Sequence, residues 1–167
     1  MEKTEKKLWA ARILSGAYLL LLLFLFLLWG RSQTYLEMPL TEYIKLFTNY
    51  VPCKTTIEQI RLMNAGLINR NIVFSNTIAH VLVFIPLGMI MAIAWKQKWR
   101  LHLVFVGTVS LTIELLQLLL RIGSFDVDAA LLNVLGYFIG FWAMHGIINR
   151  FKRKDDYNVQ KNTQHNS

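Results

Sequence analysis

The 167-residue sequence is poor in the residues that build cross-links, turns and water-facing surface. A single cysteine, Cys53, leaves no partner for an intrachain disulfide, so a cystine-stapled scaffold is excluded. Nine glycines and three prolines exclude collagen-like and low-complexity chains. Charged residues make up only 17% of the chain, where a soluble domain carries about 25%. No HExxH, CxxC, GxSxG or Walker loop is present. No repeat appears at solenoid periods. The net charge of +8 is compatible with nucleic acid, but the basic residues are not interleaved with aromatics along a polar face, so no nucleic-acid partner is expected.

What is abundant is apolar mass, 54% of residues, gathered in four runs at 13–29, 78–95, 101–120 and 129–148. Each approaches the ~20 residues with which a helix crosses ~30 Å of hydrocarbon, and none alternates with period two as a strand would. The expected fold is all-α: a polytopic membrane protein with four transmembrane helices in a bundle, spanning 13–148. The first run lacks a small-x-small exit, so it reads as an uncleaved anchor rather than a signal peptide. Segment 1–12 reads as a basic N-terminus. Segment 31–76 reads as an outer loop with short amphipathic pieces at 41–47 and 56–63, the second capped by Thr55 or Thr56. These pieces lie on the outer membrane surface, cap the bundle or form a loose loop. Segment 149–167 reads as a polar tail, disordered from Asp155 onward. Cys53 reads as a small packed residue.

Lysine and arginine divide unevenly. Twelve of the 18 (Lys3, Lys6, Lys7, Arg12, Lys96, Lys98, Arg100, Arg150, Lys152, Arg153, Lys154, Lys161) fall on one side. Arg31, Lys45, Lys54, Arg61, Arg70 and Arg121 fall on the other. The positive-inside rule then places both termini in the cytoplasm. Trp9, Trp29, Trp95 and Trp99 stand at helix ends, where indoles favour the interface.

Ionisable groups inside a span cost roughly 2.5–3.5 kcal/mol at its centre, so each needs a reason. Gly107, Ser110, Glu114, Gln117 and Arg121 recur at offsets of three and four, one stripe of the third helix and the geometry of a helix seam. Asn76 and His80 open the second helix, and Asp126, Asp128 and Asn133 open the fourth. All eight polar residues, Asn76, His80, Glu114, Gln117, Arg121, Asp126, Asp128 and Asn133, thus fall in the outer third, and nothing comparable is expected in the cytoplasmic half. Each also has a plain structural reading. Asp128 fits an N-cap of the fourth helix. Glu114, Gln117, His80 and Asn133 fit interhelical hydrogen bonds, with Glu114 neutral or paired to Arg121. Gly136 and Gly140 form a GxxxG packing motif, and Pro86 and Gly88 predict a kink in the second helix. These residue types could serve acid–base or metal chemistry, but the spacing matches no ligand motif, and neither metal nor cofactor is expected.

Four segments in order carry a resemblance: Phe84-Ile85-Pro86-Leu87-Gly88, Glu114-x-x-Gln117-x-x-x-Arg121, Phe125-Asp126-Val127-Asp128 and Asn133-x-x-Gly136-x-x-x-Gly140. With Val51-Pro52-Cys53-Lys54-Thr55 they resemble the VanZ family over roughly residues 48–148. The family often carries an acidic residue four places before the asparagine, where this sequence has Ala129, with Asp128 one place earlier. The resemblance implies a small polytopic protein of a bacterial cytoplasmic membrane, linked to low-level resistance to the glycopeptide teicoplanin, with no established activity. Three readings stay open. One is a contribution to glycopeptide resistance at the outer face. The second is an enzyme acting on a lipid-linked or cell-wall intermediate, with Glu114, His80 or Asp126 as acid–base groups. The third is a structural or regulatory membrane partner. The expected partners are the bilayer and a glycopeptide, lipid or cell-wall precursor at the outer face, and a homo-oligomer is compatible.

Overall fold

The computed structural model describes residues 2–29, 38–95 and 98–165, so Arg31 and Lys96 of the charge argument lie outside the described residues. Among the described residues, six helices and one short strand pair follow in order: α1 (Glu2–Trp29), α2 (Leu40–Leu46), β1 (Thr48–Asn49), α3 (Lys54–Asn64), α4 (Arg70–Ala94), α5 (Trp99–Leu119), β2 (Phe125–Asp126) and α6 (Val127–His165). Four of these, α1, α4, α5 and α6, are long and apolar enough to cross a membrane.

The helix ends depart from the apolar runs for local reasons. Helix α4 begins at Arg70, well before residue 78, because the extended Asn69 accepts a hydrogen bond from the Asn71 amide at 2.8 Å and caps the helix. Asn76 and His80 therefore lie inside α4, the latter almost three turns from its start. Helix α5 stops in a Schellman turn: Arg121 N–H donates to the Leu118 carbonyl at 3.1 Å and Ile122 N–H to that of Gln117 at 3.0 Å. Arg121 takes φ +56° there, a left-handed conformation usually left to glycine. Helix α6 continues through the polar segment to His165, where disorder was expected. No glycine or proline interrupts residues 149–165, so nothing in the backbone ends the helix earlier.

Helices α4 and α6 run parallel in close contact, and glycine is the reason. A Cβ on Gly136 would fall 2.0 Å from the Val81 carbonyl oxygen, one on Gly140 2.0 Å from that of Ile85, and one on Gly88 1.9 Å from that of Tyr137. Gly107, in contrast, has nothing within 4 Å of such a Cβ. Helix α1 packs antiparallel on α4, with Arg12 over the Trp95 ring at one end and Phe26 beside Phe84 at the other. Tyr18 donates to the Val83 carbonyl at 2.9 Å, one residue after the Leu82 carbonyl whose i+4 amide donor Pro86 lacks. The core is Leu22, Phe84, Leu87, Met91, Val106, Ile113 and Tyr137. Ile13, Leu20, Phe24, Leu82, Val104, Leu111, Leu135 and Trp142 point outward and are exposed. Apolar cladding over a buried polar seam is the arrangement that hydrocarbon, rather than water, favours.

At one end of the bundle α2, β1 and α3 form a cap. Thr48 and Asn49 pair in parallel with Phe125 and Asp126, Phe125 N–H donates to the Phe47 carbonyl at 2.9 Å, and Tyr43 hydroxyl donates to the Gly123 carbonyl at 2.8 Å. The segment is thus an ordered cap tied to the turn before α6. The N-cap position of α3 is Cys53, at φ +65°, rather than Thr55 or Thr56, and Cys53 is exposed rather than packed.

Candidate functional site

Beneath this cap, where α1, α4, α5 and α6 meet, is a cavity of about 310 Å³. Exposed Thr56, Asn76 and Ser124 form part of its wall, so it communicates with the surroundings. Its apolar lining is Leu25 and Phe26 from α1, Ala79 and Val83 from α4, and Leu132 from α6. Its polar lining includes His80, Glu114, Gln117, Asp126 and Asp128.

The polar lining is assembled by a hydrogen-bonded lattice. From α5, Ser110 donates to the Ala130 carbonyl of α6 at 3.3 Å and accepts from Asn133 Nδ2 at 2.7 Å. With that amide orientation, Asn133 Oδ1 faces His80 Nδ1 at 3.0 Å, so Nδ1 is the donor and Nε2 remains a free acceptor. Three helices are joined by this chain of side chains, and Phe26 lies against the imidazole at 5.6 Å. Gln117 donates to the Phe26 carbonyl at 3.1 Å and ties α5 to α1.

Asp126 and Asp128 divide the capping work differently from the sequence reading. Asp126 caps α6: its Oδ1 accepts from the Asp128 amide at 2.9 Å and from Asn49 Nδ2 at 3.0 Å. Asp128 instead reaches across to the start of α3. Its Oδ1 accepts from the Cys53 amide, and its Oδ2 from the Thr56 amide at 2.9 Å and the Thr56 hydroxyl at 3.0 Å. A carboxylate on orphan amides at a helix start satisfies them and meets the helix dipole, here between helices 75 residues apart in sequence. Ala129 itself lines the cavity.

Glu114 is 2% exposed. Its Oε2 accepts from the Asp126 amide at 3.3 Å, while Oε1 has no hydrogen-bond partner among the described residues. It is not paired with Arg121, whose guanidinium donates to the Met38 carbonyl at 2.9 Å and which does not line the cavity. The left-handed turn at residue 121 carries the side chain off the α5 stripe. The structure therefore brings together Asn76, His80, Glu114, Gln117, Asp126 and Asp128 around one space. It sets Asn133 behind His80 and places Arg121 outside. Pro86, Gly88, Gly136 and Gly140 lie on the α4–α6 contact or next to it, away from the cavity. Among the described residues, no cluster of His, Cys, Asp and Glu is arranged to hold a metal ion.

Two things escaped the sequence reading. The cap contributes to the cavity through Thr55, Thr56 and Gln59, and Thr55 accepts from Asn49 Nδ2 at 2.9 Å. The opposite half of the bundle also has a buried polar pair, contrary to expectation: His102 Nδ1 lies 2.6 Å from the Tyr137 hydroxyl, with Phe141 against the imidazole at 4.7 Å. Tyr137 reads as apolar in a hydropathy pattern and His102 falls near the end of its run, so neither draws notice alone.

A family model described as VanZ/LLP1 matches residues 16–149. A relative named Protein VanZ, from Enterococcus faecium, is 32% identical over 78 residues, which cover 46% of this chain and 48% of the relative. The matched part thus spans about half the length of that curated relative. No solved structure matches the chain.

Proposed function

The chain belongs to the VanZ/LLP1 family, and from that premise we propose a multi-pass protein of a bacterial cytoplasmic membrane whose capped end faces the cell wall. Its cavity binds an envelope amphiphile there, and through that binding it lowers the action of teicoplanin-type glycopeptides. The orientation is supported by charge: Lys3, Lys6, Lys7, Arg12, Lys98, Arg100, Lys152, Arg153 and Lys154 belong to the uncapped end, where Arg12 covers Trp95. The observation that carries the reading is Glu114, a buried acid on a cavity at the capped end, with one oxygen unpartnered among the described residues. An unsatisfied ionisable group inside a span is expensive, and a ligand that completes it is the simplest reason to keep it. Expression in a susceptible Gram-positive host should raise the inhibitory concentration of teicoplanin. No rise at verified membrane abundance refutes the resistance role.

One feature favours an enzymatic reading as the second choice. The Ser110–Asn133–His80 chain fixes the imidazole and leaves Nε2 open, with Glu114 on the same cavity. An oriented imidazole and a carboxyl group are what acid–base chemistry on a lipid-linked or cell-wall intermediate requires. Mass spectra of lipid and precursor extracts with and without the gene test it, and identical profiles refute it.

A further inference from the structure

The cavity's polar atoms are unequal in kind, and that inequality selects a ligand. Several donors on and behind its wall are already engaged: Gln117 Nε2 on Phe26, the Thr56 hydroxyl and amide on Asp128, and, behind His80, Asn133 Nδ2 on Ser110; Gln59 and Thr77 on the wall are neutral and can donate or accept. Among the described residues, no lysine or arginine lines it. The atoms left open by the described residues are Glu114 Oε1, in a side chain 2% exposed, His80 Nε2 and the second oxygen of Asp126. The neutral groups nearer the mouth, such as Asn76 and Ser124, can serve either way. The same lining includes the apolar side chains of Leu25, Phe26, Val83 and Leu132.

We propose that the cavity takes an amphiphile whose headgroup is a hydrogen-bond donor and cation, a primary amine on an aliphatic chain, and that it rejects phosphate headgroups. An ammonium supplies three donors to the open oxygens and the imidazole nitrogen, while its chain lies against the apolar lining. A phosphate brings negative charge and acceptor oxygens to a site of the same character, which costs desolvation with no return. The inference rests on the proposed binding role of the cavity and adds to it the sign and chemistry of the occupant. The amine can belong to a resident membrane lipid or to a lipophilic compound arriving from outside.

Because Cys53 is the only cysteine and is exposed beside the mouth, it accepts an environment-sensitive fluorophore without any other change to the chain. The full chain so labelled, in nanodiscs of zwitterionic phosphatidylcholine, is titrated with octylamine, octyl phosphate and octanol. Octylamine should give a saturable change, with octyl phosphate and octanol weaker by about tenfold or more. Glu114→Gln, which keeps the shape and removes the acid, should bring octylamine to the level of octanol with the unfolding midpoint retained. Ala129→Asp, which adds a carboxylate to the wall, should strengthen octylamine and weaken octyl phosphate. Should Glu114→Gln not fold, the Ala129→Asp arm decides alone. Equal or tighter binding of octyl phosphate, or no saturable octylamine signal, overturns the proposal. Mass spectrometry of lipid extracted with the purified protein separates the sources: an enriched amine-bearing lipid marks a resident ligand, and a cavity filled only on addition marks an external one. A phosphate-headed lipid without an amine, enriched with the protein and lost in Glu114→Gln, overturns it too. If teicoplanin susceptibility shifts while octyl phosphate outcompetes octylamine, only the ligand class fails; if octylamine binds and susceptibility does not shift, only the resistance role fails.

Discussion

Replacing Gly136 with alanine probes the contact on which the cavity is built. The new Cβ would lie 2.0 Å from the Val81 carbonyl oxygen and 2.8 Å and 2.9 Å from the Val81 carbonyl carbon and Cα. These are backbone atoms, so no side chain can rotate away. Reaching an ordinary carbon–oxygen separation of about 3.3 Å requires α4 and α6 to part by roughly 1.3 Å at that level. A gap of that order forfeits about half of the dispersion energy of contacts around it. Overpacking generally costs about 1–3 kcal/mol, and the rigid neighbour places this case near 3 kcal/mol. That is roughly a 100-fold loss in the folded-to-unfolded ratio. Gly140→Ala meets the Ile85 carbonyl oxygen at the same 2.0 Å and should cost a similar amount. The double variant should cost less than the sum, because parting the helices for one methyl makes room for the other. Gly107→Ala is the control: its Cβ meets nothing within 4 Å, so stability should stay within about 1 kcal/mol of the parent. Equilibrium unfolding in a mild detergent, followed by tryptophan fluorescence, measures all four. Equal midpoints for Gly136→Ala and Gly107→Ala, or full additivity of the pair, refute the close-contact account.

Two further outcomes follow from the lattice around the cavity. Asp128→Ala removes the acceptor for the Cys53 and Thr56 amides, a loss of roughly 2 kcal/mol in anchoring α3. Hydrogen exchange should accelerate across residues 53–57 while the midportion of α4 stays protected; unchanged exchange there contradicts the cross-helix cap. Ser110→Ala strands the buried Asn133 Nδ2 and should destabilise by about 1–3 kcal/mol in the same unfolding assay. A midpoint equal to that of the parent would show that the Ser110–Asn133 bond carries no weight.

The spans were legible because Leu- and Phe-rich runs of this length have few alternatives to a membrane helix. The seam of α5 was legible because Ser110, Glu114 and Gln117 recur at helical spacing, and all three are buried. What the sequence concealed depends on contacts far apart in the chain. Asp128 precedes an apolar helix and so resembles a local cap, but its partners are on α3 and only the folded cap brings them near. The start of α4 was hidden because Asn71, Ser75 and Asn76 look like loop residues, whereas the Asn69 cap allows the helix to begin before its apolar portion. Arg121 continues the α5 stripe only if the helix continues, and the left-handed turn at that residue ends it. The pairing of His102 with Tyr137 was hidden because one hydroxyl on an aromatic ring leaves a hydropathy pattern almost unchanged.

The central claim is that the acidic cavity beneath the cap is the working part of the molecule. Its most direct test compares teicoplanin susceptibility of a Gram-positive host carrying the parent protein, Glu114→Gln, or Leu111→Ala, an outward-facing change on the same helix, at matched membrane abundance. The account predicts a raised inhibitory concentration with the parent and with Leu111→Ala, and a return to the empty-host value with Glu114→Gln. Full protection by Glu114→Gln at equal abundance contradicts it.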